Sequence, residues 1–468
     1  MTVVVPDAGS FRDPAGYLYE LEGRIFRTVT ARAAADYEFV RESGFLSRIT
    51  DDGWFIGARQ VELDALGPPA PDVCYVVEHP RVPFVSYPYE WPFSALKSAA
   101  LLHLDLHIEA LQQNLTLSDA TAYNVQFIGT RPVFIDLLSL RRYRDGEFWL
   151  GHRQFCEQFL NPLLLCALFG IPHNAWYRGS LDGIPTGELS AMLPLRHKLS
   201  WKILSHVVLP ARLQRTSVSK GGNNKNLEKT TKRKLPLGAY RGMLKQLRNW
   251  IAQLDPKDTG KTVWSDYAET HTYESDEDAK KRRFVAEFVD RVKPKTLWDL
   301  GCNTGEYAEV ALDAGVKYVV GFDSDQGVLG AAFARARAKS LNFLPLYMDA
   351  ANPSPDQGWG LEERKGVEAR VNADAILALA FEHHLAIARN VPLHRLVEWL
   401  TKLAPVGVLE FVEKGDPTVQ KMLALREDIF DDYGPEQFVS ALTSRARILK
   451  SEVVSASGRR LFWYERNN

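Results

Sequence analysis

The sequence is poor in cysteine and almost free of net charge. Its 468 residues include four cysteines, none in a C-x-x-C pair. This is more typical of reduced thiols in a cytosol than of a disulfide framework or a zinc knuckle. Lysine and arginine number 57 against 58 acidic residues, for a net charge of -1. No global field therefore attracts nucleic acid or an anionic membrane, and we expect neither as a partner.

Long apolar runs are also missing. No uninterrupted stretch approaches the ~18 residues that a membrane-spanning helix needs, and the N-terminal residues lack a basic segment followed by a long apolar one. We therefore expect a cytoplasmic protein. With 46% apolar and 25% charged residues, the chain is longer than one ordinary core supports, which predicts two or three domains.

The clearest change in composition is the polar, lysine-rich stretch "SVSKGGNNKNLEKTTKRKLP" at residues 217–236. We predict a first domain over residues 1–215, a flexible basic linker over 216–240 and a second domain over 241–468. The linker has no aromatic residues between its lysines, which favours a solvated connector over a segment that binds RNA.

The second domain contains a strand-helix-strand pattern, in which "KTLWDL", "GCNTGEYAEVALDAG" and "KYVVGFD" follow one another. A phosphate-binding G-x-x-x-x-G-K-[ST] loop is excluded, because no Lys-Ser or Lys-Thr follows Gly305. A nicotinamide site would prefer G-x-G-x-x-G, and the carboxylate of Asp299 would repel a pyrophosphate. This acid instead favours a zwitterionic ligand that carries an ammonium and a sulfonium group.

The pattern D-L-G-C-N-T-G, with Asp323 ending the next strand, resembles motif I and the ribose-binding acid of class I S-adenosylmethionine-dependent methyltransferases. The resemblance covers about residues 260–468 and ends in two strands joined at a Ser-Gly turn. The stretches "DAILALAFEHHLAIARNVPL" and "LEFVEKGDPTVQ" also resemble a nodulation-type subgroup. The resemblance implies an α/β fold, with a Rossmann-like seven-stranded sheet ending in a β-hairpin, and S-adenosylmethionine as cofactor.

The resemblance also implies a cofactor site at the carboxyl ends of the strands. Asp299 and the glycine turn would hold the methionine end, Asp323 the ribose hydroxyls and Asp349 the adenine amino group. Each acid taken alone could instead cap a helix. Tyr273 could close over the ligand as part of a lid, or belong to a surface aromatic cluster. The predicted set is Asp299, Gly301, Asn303, Thr304, Gly305, Asp323, Ser324, Asp349, Ala350 and Tyr273.

Methyl transfer requires alignment of the acceptor and, for a hydroxyl, removal of its proton. We predict the base just beyond the fourth or fifth strand, where the candidates are Glu382, His383, His384 and Glu410. Histidine titrates close to neutral pH, but one of two adjacent histidines usually points into the structure. Glu410 could instead satisfy a backbone group or a sugar. The predicted acceptor is a small polar molecule, such as a sugar-like or specialised metabolite that is methylated on oxygen.

The first domain contains a second motif, "LSDATAYN", followed by the strand "PVFID". Asp119, Asn124 and Asp136 resemble the catalytic loop and the metal-binding acid of protein kinases and small-molecule phosphotransferases. The resemblance implies an α+β kinase-like fold in which Asp119 orients an acceptor hydroxyl. Asn124 and Asp136 would hold magnesium beside ATP.

This motif departs from the kinase pattern in several places. No lysine precedes Lys97, so only an arginine could grip nucleotide phosphates, and no Gly-rich loop is present. Leu117-Ser118 replace His-Arg, and Leu137-Leu138 replace Phe-Gly. We therefore predict a degenerate domain that binds acceptor, nucleotide or a partner protein. Two alternatives stay open, namely an active ATP- and Mg-dependent phosphotransferase and a non-catalytic scaffold.

Overall fold

The computed structural model describes residues 4–68, 70–212, 234–257, 275–424 and 427–467. The chain is mixed α/β and divides into two compact units. The first comprises Met1–Phe127, Arg131–Asp258 and Gly358–Arg364, and the second comprises Ile128–Thr130, Thr259–Gln357 and Lys365–Asn468.

The first unit begins with a four-stranded antiparallel sheet of order β1-β2-β4-β3. Its elements are β1 (Leu18–Leu21), β2 (Arg24–Thr30), α1 (Ala31–Glu42), α2 (Phe45–Asp51), β3 (Arg59–Val61) and β4 (Val73–His79). Phe26 and Val29 of β2 are buried, as are Val76 and Val77 of β4. These β-branched and aromatic side chains fit a pleated, half-buried surface, which is why the segments pair as strands.

The rest of the first unit is mostly helical and is built around the 20-residue helix α3 (Phe93–Gln112). This helix is buried over most of its circumference, as expected for a helix that is apolar nearly all round. The elements after it are β5 (Leu115–Leu117), β6 (Val125–Ile128), β7 (Arg131–Phe134), β8 (Leu140–Arg142), α4 (His152–Phe155), α5 (Asn161–Phe169), α6 (Asn174–Gly179), α7 (Thr186–Met192), α8 (Leu195–Lys198), α9 (Trp201–Ile203) and α10 (Leu237–Ala252). Two π-helical segments, Cys156–Leu160 and Leu204–Val208, follow α4 and α9.

The position of α10 differs from the predicted domain boundaries. The composition places residues 241–252 in the second domain, whereas this helix groups with the first unit. Arg248 forms a bidentate ion pair with Asp105 of α3: its Nε lies 2.9 Å from Oδ1 and its Nη2 lies 3.1 Å from Oδ2. Leu244, Leu247 and Ile251 are buried. The apolar face of α10 therefore packs against the first unit. Local composition could not predict this, because the packing partner of an amphipathic helix is set by tertiary contacts.

The second unit contains a seven-stranded sheet of order β11-β10-β9-β12-β13-β15-β14. Strands β9 to β13 are parallel, whereas β15 is antiparallel to both β13 and β14. The elements are α11 (Ser275–Val292), β9 (Thr296–Leu300), α12 (Glu306–Asp313), β10 (Tyr318–Asp323), α13 (Gln326–Ala338), β11 (Phe343–Tyr347), β12 (Ala375–Ala378), α14 (Glu382–Ala386), α15 (Leu393–Leu403), β13 (Val406–Phe411), α16 (Pro417–Leu423), α17 (Pro435–Thr443), β14 (Ala446–Val453) and β15 (Arg460–Arg466).

The central strands are continuous apolar runs, as expected where helices cover both faces of a parallel sheet. Leu297 of β9 pairs with Val319 of β10 on one side and with Ala375 of β12 on the other. This register brings the carboxyl ends of the three strands to one edge, where ligands of open α/β sheets bind. In the part of the chain that the structure describes, no helix is both long and apolar enough to cross a membrane.

Candidate functional site

A pocket of about 640 Å³ opens at the carboxyl edge of the seven-stranded sheet. Most of the predicted cofactor residues line it, and the structure brings them together from β9, β10, β11 and the turns that follow. The predicted residues among its lining are Asp299, Gly301, Asn303, Thr304, Asp323, Ser324, Asp349, Ala350, His384 and Glu410. Tyr273, the predicted lid residue, lies outside the described residues.

The turn between β9 and α12 requires its glycines. Gly301 and Gly305 have φ values of 74° and 82°, in the left-handed region that favours glycine. A Cβ atom on Gly305 would lie 2.4 Å from the Phe343 ring. Asn303, also left-handed at φ 47°, donates its backbone N–H to Asp323 at 3.0 Å. The loop thus presents backbone closely to the pocket and is tied to the end of β10.

Two carboxylates flank this turn, of which Asp299 is buried and Asp323 half-buried. Asp299 is 2% exposed, and within the described residues its Oδ2 has no hydrogen-bond partner. Burial, assisted by the negative Asp323, raises the pKa of Asp299 to about 7. Burial also raises the pKa of Asp323 to about 6, although its carboxylate accepts backbone N–H bonds from Asn303 and Asp325. A cation or hydrogen-bond donors in the pocket would stabilise the ionised form of both carboxylates.

Asp349 lies at the third strand end. Its Oδ1 accepts the backbone N–H of Ala351 at 3.0 Å, and its Oδ2 lies 3.6 Å from Arg389 Nη2. The side chain is 30% exposed, so a carboxylate oxygen is accessible to a donor. Ala350, directly after it, contributes to the same wall of the pocket.

Glu410, the residue before the end of β13, is a completely buried acid in an ion pair. Its carboxylate lies 2.7 Å from Lys281 Nζ and accepts the backbone N–H of Ala380 at 2.9 Å. Ala380 has a φ of 49°, a strained conformation for a residue with a Cβ. Lys281 is itself only 1% exposed. Glu410 therefore fixes the loop after β12 and neutralises a lysine that lines the pocket.

The three candidate bases of α14 occupy different environments. His384 is half-buried and lines the pocket, whereas His383 is 1% exposed and is not part of the lining. Their rings lie 4.1 Å apart. Burial lowers the pKa of both, that of His383 to about 4. Each imidazole is therefore neutral at pH 7.

Glu382 is held inside the structure. Its Oε1 accepts the Val412 N–H at 2.7 Å and the Tyr433 hydroxyl at 3.2 Å. Burial raises its pKa to about 8. Since Glu382 lies outside the pocket lining, its contacts connect α14 to the end of β13 rather than to a ligand.

Sequence reasoning missed Lys281 and Arg389, two cations of the pocket. Lys281 stands in the charged run "SDEDAKKRRF", which predicts a solvated helix face, and its neighbour Lys280 is indeed partly exposed. Only the helical spacing of Phe284, Val285 and Phe288 carries a signal, because it orients the buried face of α11. Arg389 follows α14 in a segment without a motif.

In the first unit, the three residues of the kinase-like motif also meet. Asn124 Nδ2 lies 3.3 Å from both carboxylate oxygens of Asp119 and 3.2 Å from Asp136 Oδ2. Arg27 of β2 forms an ion pair with Asp136 at 2.9 Å. Burial, with a contribution from Asp136, raises the pKa of Asp119 to about 7. The acid predicted to hold magnesium, Asp136, is therefore already paired with an arginine.

The parallel sheet, its antiparallel final strand and the acid-lined pocket define the class of the second unit, a Rossmann-like α/β domain with the strand arrangement expected of class I methyltransferases. The chain is 48% identical to the nodulation protein NoeA of Rhizobium meliloti (strain 1021) over 461 residues, which are 98% of this chain and 96% of that protein. The chain therefore belongs to the NoeA family.

Other comparisons give weaker likenesses. No family model matches the chain. The N-methyltransferase NodS from Bradyrhizobium japonicum WM9 is 12% identical with a TM-score of 0.32, covering 42% of this chain and 99% of NodS. Magnesium protoporphyrin IX methyltransferase from Synechocystis PCC 6803 is 16% identical with a TM-score of 0.30, covering 41% of this chain and 84% of that enzyme. At this low identity and TM-score, the substrate of neither protein can be assigned to this chain.

Proposed function

We propose that the protein is an S-adenosylmethionine-dependent methyltransferase. The observation that carries the proposal is the pair of acids at the left-handed glycine turn, the buried Asp299 and the half-buried Asp323. Asp299 offers an unpartnered carboxylate oxygen to the pocket, which suits an ammonium group and disfavours a pyrophosphate. The residues present therefore fit a cationic, ribose-bearing cofactor.

The roles of the acids follow from their positions. Asp299 and the backbone of Gly301–Gly305 would bind the methionine end, and Asp323 would accept hydrogen bonds from the ribose hydroxyls. Asp349 would accept the adenine amino group. When bound, S-adenosylmethionine supplies an electrophilic methyl group, so the chain's own task is to orient the acceptor and to remove its proton.

His384 is the residue best placed to take that proton, because it lines the pocket as a neutral imidazole. His383 supports it by ring contact from the buried side. Glu410 already binds Lys281 and the Ala380 N–H, so it acts as a positioning residue that holds the loop before α14. General-base catalysis of this kind contributes about a hundredfold to ten-thousandfold in rate.

For the acceptor we propose a small polar molecule, methylated on oxygen. A near-neutral chain offers no electrostatic attraction to nucleic acid. Membership of the NoeA family suggests a role in nodulation, in keeping with the name of that relative. A sugar-like or specialised metabolite with hydroxyl groups suits a pocket that combines a neutral histidine with a buried Lys281–Glu410 pair.

For the first unit we propose a degenerate kinase-like cleft that binds acceptor, nucleotide or a partner protein. The ion pair of Arg27 with Asp136 supports this proposal over active phosphotransfer, because magnesium would have to displace a guanidinium to reach that carboxylate. The close approach of Asp119, Asn124 and Asp136 favours phosphotransfer as the second candidate.

Calorimetric titration of S-adenosylmethionine into the full-length protein tests the first proposal. We expect binding in the wild type and a loss of about a hundredfold or more in Asp323→Ala, which removes two hydrogen bonds to a charged group. Asp313→Asn, an exposed acid on α12, serves as the matched control. Absence of binding in the wild type, or equal binding in Asp323→Ala, would refute the cofactor assignment.

Titration of ATP with magnesium separates the alternatives for the first unit. Binding that Asp136→Ala abolishes would favour the phosphotransferase. Binding of neither S-adenosylmethionine nor ATP would favour the scaffold.

A further inference from the structure

Three side chains that can bind a soft metal ion meet in the first unit, and none belongs to the kinase-like motif. They are His152, Cys156 and His206, whose donor atoms all lie within 4.8 Å of one another. His152 Nε2 lies 3.0 Å from His206 Nδ1 and 3.7 Å from Cys156 Sγ. This is the one such group of histidine, cysteine or acidic side chains found in the part of the chain that the structure describes.

The backbone arranges these donors on two irregular helices. His152 lies in α4, and Cys156 begins the π-helical segment Cys156–Leu160, one helical turn further on. Side chains at this spacing share a helix face. His206 lies in the other π-helical segment, Leu204–Val208. π-helical turns are rare and occur frequently at functional sites, and here two of them carry donor residues of the same cluster.

Tryptophans flank the group. The ring of Trp149 meets His152 edge-on at 5.4 Å, and Trp250 lies 6.1 Å from His206. Cys156 is 1% exposed, whereas both histidines are half-buried. A hydrogen bond between the two imidazoles would explain their contact alone. The helical spacing then adds the Cys156 thiol, which lies 3.7 Å from the same His152 Nε2, so three donor atoms converge rather than two.

We propose that His152, Cys156 and His206 form a Zn²⁺ site. Tetrahedral zinc with Zn–N of about 2.0 Å and Zn–S of about 2.3 Å separates its ligand atoms by roughly 3.3 to 3.7 Å. The observed separations of 3.0 and 3.7 Å from His152 Nε2 are close to these values, and the donor atoms of Cys156 and His206 lie within 4.8 Å of each other, near enough to close onto one ion. Water would supply the fourth ligand. The ion would join the two π-helical segments and stabilise the helical part of the unit.

The experiment uses the full-length protein, purified under reducing conditions, stripped with a chelator and titrated with zinc against a chromophoric competitor. We expect one zinc per chain with a submicromolar Kd, and a loss of about a hundredfold in Cys156→Ser and in His206→Gln. Cys166→Ser is the matched control, because Cys166 Sγ also contacts a histidine, His173, at 3.5 Å but belongs to no three-donor group among the described residues.

X-ray absorption of the zinc-loaded wild type keeps the test decisive if the variants do not fold. We expect one sulfur at about 2.3 Å and three nitrogen or oxygen atoms at about 2.0–2.2 Å, namely two imidazoles and the water. A charge-transfer band from thiolate to cobalt in the Co²⁺-substituted protein would support the same ligands. Failure of the wild type to bind zinc, a zinc shell without sulfur, or undiminished binding in folded Cys156→Ser and His206→Gln would overturn the proposal. Binding of cuprous copper to the exclusion of zinc would also overturn it.

Discussion

Replacing Asp299 with asparagine should stabilise the protein at neutral pH while removing cofactor binding. Burial raises the pKa of this carboxyl from its ordinary 3.8 to about 7. At about 1.4 kcal/mol for each pKa unit, its ionisation in the folded protein costs on the order of 4 kcal/mol. The asparagine amide would itself be buried with incomplete hydrogen bonding, at about 1–3 kcal/mol. A net stabilisation of about 1–3 kcal/mol therefore remains above pH 7.

The sign of the pH dependence follows from proton binding. Between the unfolded pKa and the folded pKa of about 7, folded Asp299 holds a proton that the unfolded chain has released. The wild type therefore loses stability as the pH rises through this window, and Asp299→Asn lacks this loss. The difference in thermal midpoint between variant and wild type should be small or negative at pH 5 and positive at pH 8.

Differential scanning calorimetry at the two pH values measures this difference, with Asp313→Asn as the exposed control. Titration of S-adenosylmethionine at pH 8 measures the functional cost. A stability difference that is the same at both pH values would refute the placement of an ionisable, buried carboxyl at the end of β9. Undiminished affinity in Asp299→Asn would refute its role toward the ammonium group.

Three further predictions concern the same unit. His384→Ala should lower turnover by about a hundredfold or more while sparing cofactor affinity, and a larger loss of turnover in His383→Ala would contradict the assignment. Arg459→Met should destabilise the unit by about 3–5 kcal/mol, because it leaves Asp416 buried without its ion pair at 2.7 Å; chemical denaturation measures this loss. Gly305→Ala should abolish cofactor binding in a calorimetric titration, because an added Cβ collides with a ring 2.4 Å away in an already left-handed turn.

The positions of the acids could be predicted because the relevant signals are local. An apolar run followed by Asp299 and two glycines predicts both the strand and its carboxyl end. Asp323 and Asp349 likewise each follow an apolar run that predicts a strand. Parallel strands then bring these ends to one edge without further information. The assignment of each acid to a part of the cofactor stays a prediction.

The remaining parts of the site depend on contacts between distant residues. The Lys281–Glu410 pair joins residues 129 positions apart in the sequence. Neither the charged run around Lys281 nor the apolar strand around Glu410 predicts the contact. Adjacent histidines give no periodicity, so only the start of α14 at Glu382 decides that His384 lines the pocket. The scattered cysteines likewise predicted no metal ligand, since His206 joins Cys156 only through the fold.

The electrostatics of the pocket suggest how it selects its ligand. Glu410 is neutralised by Lys281, whereas Asp299 keeps an unpartnered oxygen within the described residues. Asp299 and Asp323 both have raised pKa values, so ionising them in the free protein costs free energy that a bound cation would offset. An anionic nucleotide would increase this cost. The acid before the glycine turn thus trades stability for selectivity toward a cationic cofactor, which is the compromise that Asp299→Asn would measure.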